Sequence, residues 1–113
     1  MTQITSHILD TSRGQPAEGV LITLMQQRDD DWLMLGTGNT NADGRVADFT
    51  GDVDALPAGI YKLTFYLAEY YAGLSQQAFY PYVDVVFEIS SDGQHYHVPL
   101  LLNPFGYSTY RGS

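Results

Sequence analysis

The sequence predicts an all-β fold, an antiparallel sandwich with one short helix. Three observations lead there. Apolar residues recur with a period of two along most of the chain. Tyr61, Leu63, Phe65 and Leu67 alternate with Ile60, Lys62, Thr64 and Tyr66, and Val83, Val85, Phe87 and Ile89 alternate with Tyr82, Asp84, Val86 and Glu88. Turn-forming clusters separate these runs at short intervals. Tyrosine (9) and glycine (11) are abundant, and long runs of Ala, Glu, Lys and Leu are absent, which leans towards β structure.

The first strand is expected over Ile4–Asp10, with Ile4, Ser6 and Ile8 on one face and Thr5, His7 and Leu9 on the other. Arg13-Gly14-Gln15-Pro16 then reads as a turn. Strands over residues 19–27 and 32–40 follow, divided by the polar turn Arg28-Asp29-Asp30-Asp31. Gly36 and Gly38 lie inside the latter pattern, so they do not form a phosphate-binding loop. Asn41-Ala42-Asp43-Gly44 leads into a short strand over residues 45–48. Leu56-Pro57-Ala58-Gly59 precedes a strand over residues 60–67. Residues 68–74, Ala-Glu-Tyr-Tyr-Ala-Gly-Leu, form the one plausible helix, of about two turns. Strands over residues 81–90, 96–102 and 107–111 complete the chain, separated by Ser91-Asp92-Gly93 and Asn103-Pro104-Phe105-Gly106. Eight short strands with one small helix imply a sandwich. No repeat or linker interrupts residues 1–113, so a single domain is expected.

Composition excludes several function classes. The net charge is −8 with only 5 Lys and Arg, which argues against a nucleic acid or an anionic membrane as partner. There is no cysteine, so disulfides, thiolate chemistry and sulfur-ligated zinc are excluded. No apolar run approaches the ~20 residues of a membrane-spanning helix. Met1 leads almost directly into a strand, without a basic segment followed by an apolar one. The expected location is cytoplasmic, or periplasmic if a signal has been removed.

Strand parity singles out the candidate chemistry. From Tyr96, the residues Tyr96, Val98, Leu100 and Leu102 form a clean apolar face, so His95 and His97 fall on the other, beside Pro99 and Leu101. His7 is likewise off the core. His95 and His97 have a spacing used by metal ligands on strands, but no Asp or Glu accompanies them locally. Metal sites usually need three or four ligands, so no metal or other cofactor is expected. Ser113 is not in a nucleophile elbow, because Gly-x-Ser-x-Gly does not occur. What remains is His7, His97 and Arg45 with the terminal Tyr110-Arg111-Gly112-Ser113. A histidine can serve as general base on water near neutral pH. An arginine can hold a carbonyl-rich or anionic substrate through paired hydrogen bonds. Such a set suits hydrolysis of a planar amide or imide. Each residue also has an ordinary explanation: an outer-face histidine is commonly solvated or interfacial, and Arg45 after Asp43-Gly44 could be a surface charge at a hairpin end.

Three segments carry a resemblance. Ser6-His7-Ile8-Leu9-Asp10-Thr11 with Gly14-Gln15-Pro16-Ala17, then Asn41-Ala42-Asp43-Gly44-Arg45, then His95 through Ser113, resemble the opening, central and closing motifs of the transthyretin-like family. The likeness spans the whole chain. It implies a prealbumin-like sandwich of two four-stranded sheets, and a homotetramer with sites at the subunit interface. The family holds thyroid hormone carriers and hydroxyisourate hydrolases. The carriers place lysine, glutamate and threonine where this chain has His7, Arg45 and His97, and they lack the closing Tyr-Arg-Gly-Ser. The resemblance therefore implies a cofactor-free hydrolase that opens the six-membered ring of 5-hydroxyisourate in urate degradation. By the same resemblance His7, Arg45, His97 and Ser113 would be catalytic. His7, Arg45 and Tyr110 would bind substrate. Arg111 is left out as a partner for a carboxylate, and no role attaches to His95. Asn103 departs from the serine common in the hydrolases, but it lies in a turn.

Overall fold

The computed structural model describes residues 4–49, 56–90 and 94–112, which build two β-sheets and one helix. The first sheet contains β1 (Ile4–Asp10), β2 (Gln15–Pro16), β5 (Arg45–Val46), β8 (Tyr96–Asn103) and β9 (Gly106–Thr109). The second contains β3 (Leu21–Arg28), β4 (Asp31–Asn39), β6 (Gly59–Tyr66) and β7 (Tyr82–Ile89), and α1 (Ala68–Gly73) joins β6 to β7. Their orders are β2-β1-β8-β9, with β5 also on β1, and β4-β3-β6-β7.

The sandwich agrees with the period-two reading, and three details differ from it. Gln15 and Pro16 form a strand rather than part of a turn. Gly14, at φ 64°, reverses the chain so that they pair with Asp10 and Leu9. Proline is tolerated there because β2 lies at the sheet margin. β5 takes the other half of the same edge, pairing with Ser6 and His7, so the sheet counts five strands but is four wide. The strand expected over residues 45–48 ends at Val46. Finally, β1 and β8 run parallel over seven residue pairs, from Ile4 with Tyr96 to Asp10 with Leu102. They are separated in the chain by the whole second sheet, so no hairpin forces them antiparallel. The expected Ser91–Gly93 turn and Ser113 lie outside the described residues.

Alternation fixes which side chains are buried. Ile4, Ile8, Val98, Leu100 and Leu102 project from the first sheet onto Ile22, Leu24, Tyr61, Leu63, Phe65, Val83 and Val85 of the second. Full burial of each large apolar side chain contributes about 1.5–3 kcal/mol. The buried Asp10 carboxylate anchors the end of β1. Its Oδ1 accepts from Ser12 N (3.1 Å) and Ser12 Oγ (2.7 Å), and its Oδ2 accepts from Tyr70 Oη (2.7 Å) on α1. No helix among the described residues is long and apolar enough to cross a membrane. Thr5, His7 and Leu9 of β1, with His97 and Leu101 of β8, are left half-buried on the outer face.

Candidate active site

Three chain segments meet on that outer face. In the β1–β8 ladder Thr5 is the partner of His97 and His7 is the partner of Pro99. On the other edge of β1, His7 is the partner of Arg45 in β5. Directly opposed residues of an antiparallel pair project from the same face with Cβ atoms about 4.5–5.5 Å apart. The sheet thus sets Arg45, His7 and His97 on three adjacent strands. Arg45 is exposed at the end of the Asn41–Arg45 loop, and its strand pairs with β1.

The approach of Arg45 is built by its own motif. Asn41 Oδ1 accepts from Asp43 N (2.9 Å) and Arg45 N (3.0 Å), closing a compact loop. Gly44 has φ 73°, and its carbonyl accepts from Ile8 N at 2.8 Å. A Cβ at this position would lie 2.5 Å from the Ile8 carbonyl oxygen. Only glycine satisfies both the left-handed backbone and the close approach to β1.

On the far edge of β8 the chain end folds over His97. Gly112 N donates to the His97 carbonyl at 2.8 Å. The register that pairs Leu100 with Thr109 continues to His97 opposite Gly112. Between them the ladder is interrupted, because Pro99 has no N–H to donate. The Pro99 carbonyl instead accepts from Thr109 Oγ1 at 2.7 Å. A Cβ on Gly112 would lie 2.6 Å from His97 Cδ2. Here glycine is required by contact with the imidazole, not by an unusual φ. Continued register sets Tyr110 at the height of Pro99, and its ring is 57% exposed. Arg111 turns away: its Nη2 donates to Gln94 Oε1 at 2.8 Å and its guanidinium lies 4.4 Å from the centre of the Tyr96 ring. Its partner is an amide and a ring where a carboxylate was expected. Asn103, the departure in the closing motif, accepts from Phe105 N at 2.9 Å and so supports the turn.

The residue that sequence parity left unused is Thr5. Its Oγ1 lies 2.8 Å from His97 Nδ1 and 2.8 Å from His95 Nε2. The partners lie 90 and 92 positions away in the chain, so only the fold reveals them. Among the described residues, no three of His, Asp and Glu gather as a metal-holding group.

Both ladder histidines are pushed below the ordinary histidine pKa of 6.5. For His7 burial is the leading cause and the Arg45 guanidinium the next, while hydrogen bonding to the Asp43 backbone and the Asp43 charge oppose them. For His97 burial again leads, followed by Arg45, His7 and His95, against hydrogen bonding to the Thr5 backbone. Near neutral pH the two imidazoles are therefore uncharged, each with a lone pair able to accept a proton. The guanidinium beside them stays positive. A neutral base next to a fixed cation can activate water and receive the negative charge that forms on an attacked carbonyl.

Because Gly112 touches the imidazole itself, Gly112→Ala is expected to shift the His97 ring resonances and its titration midpoint in NMR. The core strands are untouched, so the cooperative unfolding of the sandwich should persist. Unchanged His97 resonances in that variant would show that the chain end does not rest on the ring.

Comparison with known proteins shows the family of the chain. The model of the HIUase/Transthyretin family matches residues 4–112. A probable 5-hydroxyisourate hydrolase of Caenorhabditis elegans is 48% identical over 110 residues, spanning 97% of this chain and 81% of the relative. The solved structure of Klebsiella pneumoniae 5-hydroxyisourate hydrolase has a TM-score of 0.82 at 39% identity, covering 99% of this chain and 100% of that one. Sea bream transthyretin in complex with thyroxine has a TM-score of 0.90 at 31% identity, covering 98% of this chain and 95% of that one. The likeness is of sequence and fold together and runs from β1 to the segment against His97: the chain belongs to the HIUase/transthyretin family.

Proposed function

We propose that this protein is a 5-hydroxyisourate hydrolase of urate degradation. The observation that carries the reading is the alignment of Arg45, His7 and His97 on adjacent strands of one outer face, where burial and the Arg45 charge push the pKa of both imidazoles down. Fold alone does not decide, since the transthyretin that binds thyroxine has a TM-score of 0.90. Side-chain chemistry does. The lysine, glutamate and threonine of the hormone carriers cannot combine a neutral base with a fixed cation in this geometry. His7, Arg45 and His97 do so.

In this reading water attacks the C6 carbonyl of the six-membered ring. His97 or His7 takes its proton, and the two imidazoles act on the same water. Arg45 orients the substrate and balances the oxyanion of the tetrahedral intermediate. Collapse breaks the ring C–N bond, the proton passes to the leaving nitrogen, and the product is the carboxylated ureidoimidazoline. Tyr110 forms part of the pocket wall. Ser113 lies outside the described residues, and its catalytic role rests on the family resemblance alone. No resident cofactor enters the scheme.

The face is half-open in a single chain, and electrostatic catalysis is strongest where water is excluded. We therefore assign the working form as a homotetramer whose subunits cover one another's sites. Edge strands β7 and β9 support this reading. Each is the last strand of its sheet, and Val86 of β7 and Thr109 of β9 line one shared cavity, with Tyr82, Val86 and Tyr107 on these strands and Phe105 in the turn before β9 exposed. Unpaired apolar edges of this kind are partner surfaces unless they are covered.

Two results are expected from a spectrophotometric assay with freshly generated 5-hydroxyisourate. His97→Asn or His7→Asn should lower the rate by about 10²–10⁴, the usual contribution of a general base. Arg45→Glu should lower it by about 10²–10³ through loss of charge stabilisation. Wild-type rates from all three folded variants would remove the site from this face. The pH profile follows from the sign of the shifts. Protonation destroys the base, and the folded protein resists protonation more than a free imidazole does. The rate should hold at neutral pH and fall only below 6.5. An acid limb centred above that value would contradict the neutral-imidazole mechanism.

A further inference from the structure

We propose that Thr5 and His95 are positioning residues for His97: the Thr5 hydroxyl, held between His95 Nε2 and His97 Nδ1, fixes the tautomer of His97 and leaves its Nε2 as the atom that takes the proton. This inference rests on the hydrolase reading above and names which imidazole atom acts as its base.

The argument starts from a count of protons. A threonine hydroxyl has one hydrogen to donate and lone pairs to accept with. Here it faces two ring nitrogens, each at 2.8 Å. If the hydroxyl donates to His95 Nε2, it accepts from His97 Nδ1–H. His97 Nε2 then carries the lone pair. If the hydroxyl donates to His97 Nδ1, the His97 proton sits on Nε2 and the ring is useless as a base at that atom. The first arrangement survives catalysis unchanged. When Nε2 gains the proton of water, Nδ1–H remains bonded to Thr5, and the hydroxyl remains bonded to His95. No proton has to leave the chain of three groups. The second arrangement would have to reverse both hydrogen bonds before His97 could act.

Charge favours the same arrangement. His97 is faced by Arg45 and His7 across the sheet and by His95 just before β8, and each of these disfavours a charge on its ring. The Gly112 segment covering the ring carries Arg111, which is turned to Gln94 and Tyr96. A Thr5 hydroxyl that donates to His95 Nε2 gives the imidazolium formed in the reaction a polarised acceptor at Nδ1. This is the arrangement of a base oriented by a further group, realised with a hydroxyl and a second imidazole in place of a carboxylate. The register supplies it, because Thr5 and His97 are direct partners in the β1–β8 ladder.

The test uses ¹⁵N-labelled full-length protein without substrate. Long-range ¹⁵N–¹H correlation spectra of the imidazoles are recorded above the titration of His97, beside steady-state kinetics of the same samples. In the wild type and in Thr5→Ser, His97 should carry its proton on Nδ1. In Thr5→Val the population should move to the Nε2–H tautomer. Thr5→Val should lower kcat by about tenfold or more, the scale of one lost buried hydrogen bond to a reacting group. Its KM should stay within about twofold, because the hydroxyl does not touch substrate. Thr5→Ser should recover most of the rate, and His95→Ala should fall between the two. Thr5→Ala removes the same hydroxyl if valine crowds the ring. An Nε2–H tautomer in the wild type, a tautomer unmoved by Thr5→Val, or Thr5→Ser as slow as Thr5→Val would each overturn the proposal. A wild-type protein inert towards 5-hydroxyisourate would sink the hydrolase reading, while the spectra would still judge the tautomer.

Discussion

The parallel ladder between β1 and β8 is the constraint on which the site depends. It pairs Thr5 with His97 and His7 with Pro99 while keeping Ile4, Ile8, Val98, Leu100 and Leu102 in the core. A slip of one residue would exchange the faces, burying imidazoles and exposing the apolar row. Register is therefore enforced by burial. Ser6 reinforces it by donating from Oγ to the Val98 carbonyl at 2.7 Å in the dry interior. Everything else attaches to the free edges of these two strands. β5 brings Arg45 to one side of β1, and the chain end brings Gly112 to the other side of β8.

Local charge runs against global charge. The chain carries a net charge of −8, yet the outer face concentrates an arginine and all three histidines. Crowding cations costs free energy unless some of them stay neutral. Burial and Arg45 keep His7 and His97 in that state, and the same repulsion makes them usable as bases. The close glycine contacts serve this arrangement too. Gly44 lets Arg45 approach β1, and Gly112 lets the backbone lie on the His97 ring. Both are positions where backbone replaces a side chain so that a functional group can be held.

Much of this was legible in the sequence, and the remainder has a physical reason for having been hidden. Period-two alternation located the long strands and assigned His7 and His97 to the outer face, because parity is a local property. Pairing is not local. Nothing in residues 4–10 states that their partner lies in residues 96–103, nor that the two run parallel. For that reason Thr5 looked like an ordinary outer-face residue and His95 like a spare histidine. Nor does the loop before Arg45 state that its strand pairs with β1. Nothing local to Gly112 states that the backbone there lies on the His97 ring, where only the lack of a side chain admits it. The resemblance to a family supplied the substrate, which no periodicity or spacing contains.

The central claim is that His7 and His97, brought to one face by a single register, act on the same water molecule. Groups that act as a unit are strongly non-additive when removed. The direct measurement is a double-mutant cycle on kcat with His7→Asn, His97→Asn and the combined variant, all checked for folding. The account predicts that the double variant is scarcely slower than the slower single one. Losses that multiply would contradict it, since they would mean that the two imidazoles act independently.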